Sequence, residues 1–364
     1  MNEELKSVSI QTSYCLDLIC FIDLLCQTNE WGHDEQTAKW EAFISDDAIK
    51  SLNEVKRLLE PTETLITTLA PLLVLDEEFN DLKVLEVFES PRYLLNKCKK
   101  DITFKGPYKS YKTMILKKGE RLLRGITPVI ACLERFKFKH EWIETRLPLI
   151  NAKIKTLQSS FNQTQLTTKL TPYLLEELPA QTVYVLSYYV KPKTAVSLSF
   201  NCPKTPHLVA ITQSTLEVAT DFVTAVVNPI HALNLKKAYK PLRKELALKK
   251  QFELVKPDYK NMDQYLDHLL EITLHVMILA EAGYLANPYE YLARYQYGTH
   301  KFSVILFDYM KQVSRHQTTS LEAYCQLMCQ SVTAAQLQTQ FLSIMSAQRH
   351  QFDEGISNAS HSEV

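Results

Sequence analysis

The sequence predicts a mainly helical α+β protein, with a helical N-terminal half and a second half in which a small antiparallel sheet precedes further helices. Three observations carry this expectation. Glycine is scarce, with 7 residues in 364, which disfavours turn-rich all-β folds and phosphate-cradling loops, both of which need Gly where the backbone bends tightly. β-Branched and aromatic residues concentrate between 181 and 211, whereas apolar residues elsewhere recur at spacings of three and four. Apolar residues make up 46% of the chain, enough to form a substantial core and to exclude wholesale disorder.

Charge narrows the function classes. Lys+Arg and Asp+Glu balance at 41 each, so no global field draws the chain to nucleic acid, and no nucleic-acid partner is expected. The opening MNEELKSVSI lacks a basic stretch followed by an apolar core, and no apolar run reaches bilayer-spanning length. A cytoplasmic protein without a membrane partner is the expectation. Eight Cys are present; Cys15, Cys20 and Cys26 share one apolar helix and Cys325 and Cys329 another. No Cys-x-x-Cys spacing occurs, so they read as reduced core thiols.

Taken in order, 7–27 begins strand-like and becomes a deeply packed helix through Leu16, Ile19, Cys20, Ile22, Leu24 and Leu25. Asp17 and Asp23 on it are expected to face solvent or to cap, not to act in catalysis. Helices follow near 35–60, 62–74, 76–100 and 114–158. A basic cluster from Arg92 to Arg124 includes Phe104, Tyr108 and Tyr111, and is read as a solvated face whose tyrosines help fill the core. His140 and Glu144, spaced i and i+4, suit a surface ion pair. The polar stretch 159–172 ends at a proline and marks a domain junction. Beyond it, QTVYVLSYYV, a turn at KPKT and AVSLSFN read as a hairpin, with a further strand at 207–211.

The segment PHLVAITQSTLEVATDFVTAVVNPI then predicts a strand, a polar turn and a helix over 214–227 that stops at Pro229. Apolar residues bury most of that helix, and among them stand Thr220, Asp221 and Thr224. Their frame is that of His-Glu-x-x-His, in which two His one turn apart bind zinc and the Glu acts as general base. Followed by Val-Asn-Pro at 227–229, the segment resembles the zinc helix of a poorly characterised bacterial family of gluzincin-like metallopeptidases, a domain of unknown function. Both His positions read Thr here and the Glu position reads Asp, so the motif is degenerate. The residue pattern predicts a helical N-terminal region over 1–160 and a disordered tail over 347–364, and the resemblance implies a zincin-like region over 176–346.

A second helix, NMDQYLDHLLEITLHVMILAEA at 261–282, carries His268, Glu271 and His275 on one narrow stripe. The resemblance implies that Glu271 stands where a gluzincin takes its third zinc ligand. With Asn228, His231 and His275 it would line a remnant cleft. Read from the residues alone, the stripe is also an amphipathic helix with its polar side in solvent. Between the two helices, seven basic residues from Lys236 to Lys250 face one acid, Glu245. Pro241 interrupts any apolar stripe there, so the stretch reads as a solvated linker. The helices after 288 are rich in Tyr289, Tyr291, Tyr295, Tyr297 and Tyr309, which can form a peptide groove or fill a core.

The functional expectation is a pseudo-metallopeptidase, catalytically inactive, without metal or cofactor, that binds a peptide or protein. The alternatives are an active hydrolase whose relocated metal site uses Glu271 and His275, and a purely structural helical protein.

Overall fold

The computed structural model describes residues 7–26, 39–40, 42–59, 64–66, 68–69, 91–92, 95–96, 109–161, 163–173, 181–190, 207–226, 230, 233–313 and 320–361. The chain divides into two units, one formed by 1–161 with 179–214 and the other by 162–178 with 215–364. The break after Phe161 falls in the stretch read as a junction. Residues 179–214, which the sequence reading assigns to the second region, belong to the first unit instead.

The first unit contains β1 (Ser7–Thr12), α1 (Tyr14–Cys26), α2 (Asp46–Leu58), α3 (Lys109–Arg135), α4 (Phe138–Glu141), a π-helical turn at Trp142–Arg146 and α5 (Leu147–Ser160). The strands β2 (Gln181–Ser187) and β3 (His207–Ala210) complete it. The sheet has the order β1-β2-β3, and both pairings are parallel, Ser7 facing Gln181 and Tyr184 facing His207. This corrects the expected antiparallel sheet. The central strand β2 is buried at Tyr184, Val185, Leu186 and Ser187 in succession, the near-continuous burial of a parallel strand and not the alternation of a hairpin arm. The expected partner arm at 195–200 lies outside the described residues.

Apart from Leu24, α1 is buried all round, as its mixed apolar surface requires. The amphipathic α2 starts at Ser45, whose hydroxyl accepts from the Ala48 amide at 3.3 Å, and it buries Ala48, Leu52 and Val55 against α3. Gly125 makes that approach possible, because a Cβ there would stand 2.4 Å from Val55 Cγ2.

Asp17 is fully enclosed in α1, contrary to the expectation of a solvent-facing or capping residue. Its carboxylate accepts from Trp142 Nε1 at 2.6 Å, from the Tyr189 amide at 3.1 Å and from the Ser187 hydroxyl. Burial pushes its pKa up to about 6 against the opposing pull of these donors. Asp23 is buried too, yet it does cap: it accepts from the Leu65 amide at 2.6 Å. Burial raises its pKa to about 7.

The second unit contains α6 (Gln163–Leu170), a 3₁₀ turn at Thr171–Tyr173, α7 (Thr215–Val226), α8 (Leu246–Val255), α9 (Met262–Glu281), α10 (Pro288–Arg294), α11 (Lys301–Gln312), α12 (Leu321–Ser331) and α13 (Leu337–His361). Its centre is α9, against which α6, α7, α8, α10 and α11 pack. Side chains end the orphan amides at several helix starts. Asn261 accepts from the Gln264 amide at 3.0 Å, Asn287 from Glu290 at 3.2 Å and Ser320 from Ala323 at 3.1 Å. Among the described residues no helix is long and apolar enough to cross a membrane. The backbone of α13 stays helical to His361 where the sequence reading expects a disordered tail from 347; the good helix formers Gln, Met and Ala at 345–348 continue the helix past the end of its apolar pattern.

Candidate functional site

The motif helix α7 buries Val218, Ala219, Phe222 and Val223, and leaves Thr220, Asp221 and Thr224 half-buried. The Thr220 hydroxyl donates to the Leu216 carbonyl at 2.8 Å, one turn back on its own helix, the habit of a mid-helix threonine. α7 packs against α9, so the two helices that would share a metal in a zincin are neighbours. Asn228 and His231 lie outside the described residues.

On α9, Glu271 and His268 are half-buried and His275 is buried at 6% exposure. Burial, reinforced by the charge of His268, pushes the His275 pKa down to about 4, so its imidazole is neutral at physiological pH. The Nε2 atoms of His268 and His275 are enclosed and have no hydrogen-bond partner. His268 instead stacks into a ring cluster with His300 at 5.4 Å, Tyr259 at 5.6 Å and Tyr295 at 6.0 Å between centroids. Within it His300 meets the Tyr259 hydroxyl at 3.2 Å and the Thr299 hydroxyl at 3.0 Å. His300 too is held down, to about 4, by burial and by His268.

The residues present do not fit the zinc ion that the resemblance implies. A hydroxyl bonded to its own helix is no ligand, and among the described residues no three His, Cys, Asp or Glu side chains come together to hold a metal ion. The stripe of His268, Glu271 and His275 is therefore neither a convergent ligand set nor a solvent face. It leads into packed aromatic rings.

An open concavity of the unit lies further along α9. A groove of about 1780 Å³ is bounded by the last turn of α9, by α10, α11 and α13, and by the end of α6 with its 3₁₀ turn. Met277, Met310 and Met345 border it together with Phe307, Phe341 and Leu342; Met277, Met310 and Phe307 are buried, and Leu342 is exposed. Polarizable, unbranched methionines re-pack readily around different apolar side chains. Its rim carries Lys169, Arg294, Lys311 and Arg349 against two carboxylates, Glu281 and Glu290. Those carboxylates are engaged, Glu281 with Lys169 at 4.0 Å and Glu290 with Arg294. Lys311 stands over the Tyr289 ring at 5.2 Å. The rim thus keeps a surplus of positive charge.

None of Thr220, Asp221, Thr224, Glu271 or His275 lines this groove. Sequence reasoning reached it only through Tyr289, one of the tyrosines singled out for a peptide groove. Its three methionines sit on three different helices, so no local spacing could reveal them. The chain matches no protein-family model, no curated protein and no solved structure.

Proposed function

We propose that the protein is a non-catalytic, metallopeptidase-like binder of a peptide segment, and that the segment lies in the groove of the second unit. The observation that carries this reading is the groove itself, a trough of mixed polar and apolar lining, with Phe341, Leu342 and Met345 on one wall and a basic surplus on its rim. Such a surface suits an amphipathic helix that lays its apolar side into a hydrophobic groove and offers carboxylates to the rim. The inactive character rests on the degenerate motif, where Thr220 spends its hydroxyl on Leu216 and no described donors gather for a metal. A cytoplasmic location accords with the free state of Cys15, Cys20, Cys26, Cys132, Cys325 and Cys329.

Selection from a displayed library of random peptides tests the reading. Enriched sequences should combine an i, i+3, i+4, i+7 apolar pattern with Asp or Glu. Leu342 is 55% exposed, so Leu342→Glu leaves the fold intact and should abolish binding of the selected peptides. Peptides whose binding ignores Leu342→Glu, or no enrichment at all, would refute the proposal.

A further inference from the structure

The basic stretch between the two motif helices is not a linker. Leu235, Ala238, Tyr239, Leu242, Leu248 and Val255 are buried, and the Tyr239 hydroxyl meets Asp267 at 2.5 Å while Arg243 meets Asp263 at 2.6 Å. These contacts pin the stretch on α9. Pro241 lies in the turn before α8, so it does not interrupt that helix.

With its inner side fixed, α8 has a defined outer face. At 100° per residue, Leu248, Gln251 and Val255 fall on the buried side, and Leu246, Lys249, Lys250, Glu253 and Leu254 on the other. Leu246 is 65% exposed and Leu254 74%. Around them, Lys236, Lys237, Lys240 and Lys244 are also exposed. Among the described residues none of these six lysines makes an ion pair. Of the nearby carboxylates, Glu253 is paired with Lys256 at 3.3 Å and Asp263 with Arg243, while Glu245 keeps its charge and accepts from the Thr333 hydroxyl at 3.2 Å, which leaves the six lysines in excess. Asp258 is the remaining acid of the stretch, exposed at its far end.

We propose that this lysine–leucine face of α8 and the preceding turns docks on an anionic lipid surface. Unpaired lysines are attracted to acidic headgroups, and protruding leucines insert at the boundary of headgroups and acyl chains. The leucines decide between polyanions, because a phosphate backbone has no apolar phase to receive them, whereas a bilayer does. Peripheral attachment of this kind needs no spanning helix. It is independent of the groove, which other residues line.

Co-sedimentation of the full-length protein with vesicles tests it. Vesicles of phosphatidylcholine with about a third phosphatidylserine should bind at least about tenfold more tightly than phosphatidylcholine alone. Lys249→Glu with Lys250→Glu should remove that preference. Leu246→Ser with Leu254→Ser should weaken binding by about tenfold, since two apolar anchors are lost. All four positions are exposed, and an unchanged circular dichroism melt verifies folding. Absence of binding to the acidic vesicles would overturn the proposal. So would binding that the leucine pair does not affect, in particular if a single-stranded oligonucleotide competes for the same lysines, which would reassign the face to nucleic acid or an acidic protein.

Discussion

Replacing Asp17 by Asn should cost clearly less stability at alkaline pH than in mild acid. The native carboxylate is wholly buried, and its pKa rises from 3.8 to about 6. Folding therefore raises its proton affinity. The stability this group contributes is complete below the unfolded value near 4 and is lost as pH climbs through about 6. At about 1.4 kcal/mol per tenfold change in proton affinity, the ionisation penalty approaches about 3 kcal/mol at pH 8 and is about 1 kcal/mol at pH 4.5. Asn has no proton to lose. Its carbonyl keeps Trp142 Nε1, but its amide faces a Ser187 Oγ that already accepts from the Tyr189 and Val190 amides at 3.2 and 3.1 Å. The Ser187 hydroxyl loses its acceptor and the new amide finds none, a cost of about 2–4 kcal/mol at either pH. The difference between the two pH values, about 2 kcal/mol in favour of Asn at pH 8, does not depend on that cost. Urea denaturation followed by tryptophan fluorescence, with Trp142 beside the substitution, measures it as a midpoint shift of about 1 M. Equal effects of Asp17→Asn at the two pH values, within about 0.5 kcal/mol, would refute the reasoning.

Gly125→Ala should destabilise the first unit by about 1–3 kcal/mol despite the better helix propensity of Ala, because the new Cβ meets Val55 Cγ2 at 2.4 Å. Val55→Ala in the same chain should recover part of the loss, and a thermal melt of the double-mutant cycle reads the coupling. His275→Leu should be neutral or stabilising by about 1 kcal/mol, since it removes an enclosed Nε2 that has no partner; a relocated hydrolase would instead lose activity with it. After dialysis the protein should contain no stoichiometric zinc and cleave casein in no chelator-sensitive way. Thr220→His, Asp221→Glu and Thr224→His together should confer zinc binding that depends on Glu271, and elemental analysis without that gain would remove the zincin reading.

Local elements were legible in the sequence and their partners were not. The helix expected over 261–282 is Met262–Glu281, the one over 214–227 is Thr215–Val226, and the strand near 207–211 is His207–Ala210. Each has its apolar period and its stop signals within a dozen or so residues. The direction of the sheet depends on Ser7 meeting Gln181, a pairing that no window of sequence contains. Asp17 looked like an ordinary polar position because the groups that enclose it, Trp142 and Ser187, come from remote parts of the chain. The lysine-rich stretch looked like a linker because its anchors, Asp263 and Asp267, belong to the following helix. At the motif, the sequence identified the neighbouring helices, while the groove beside them is assembled from side chains with no common period.

Burial along α9 explains why the open surface lies where it does. From Ile272 to Leu279 every residue is enclosed; Ala280 is half-buried and Glu281 exposed. The middle of the helix, where a zincin would present its third ligand, is packed by α7 on one side and faces the ring cluster of His268, His300 and Tyr295 on another. The enclosed imidazoles of His268 and His275 each leave an Nε2 unsatisfied, a cost of about 1–3 kcal/mol each that apolar side chains would avoid. The last turn of α9 is different. There Ala280 and Glu281, with the buried Met277 beneath them, meet α10, α11 and α13 around open space. The open space along α9 thus begins at its last turn, where Ala280 and Glu281 leave the enclosure that covers residues 272–279.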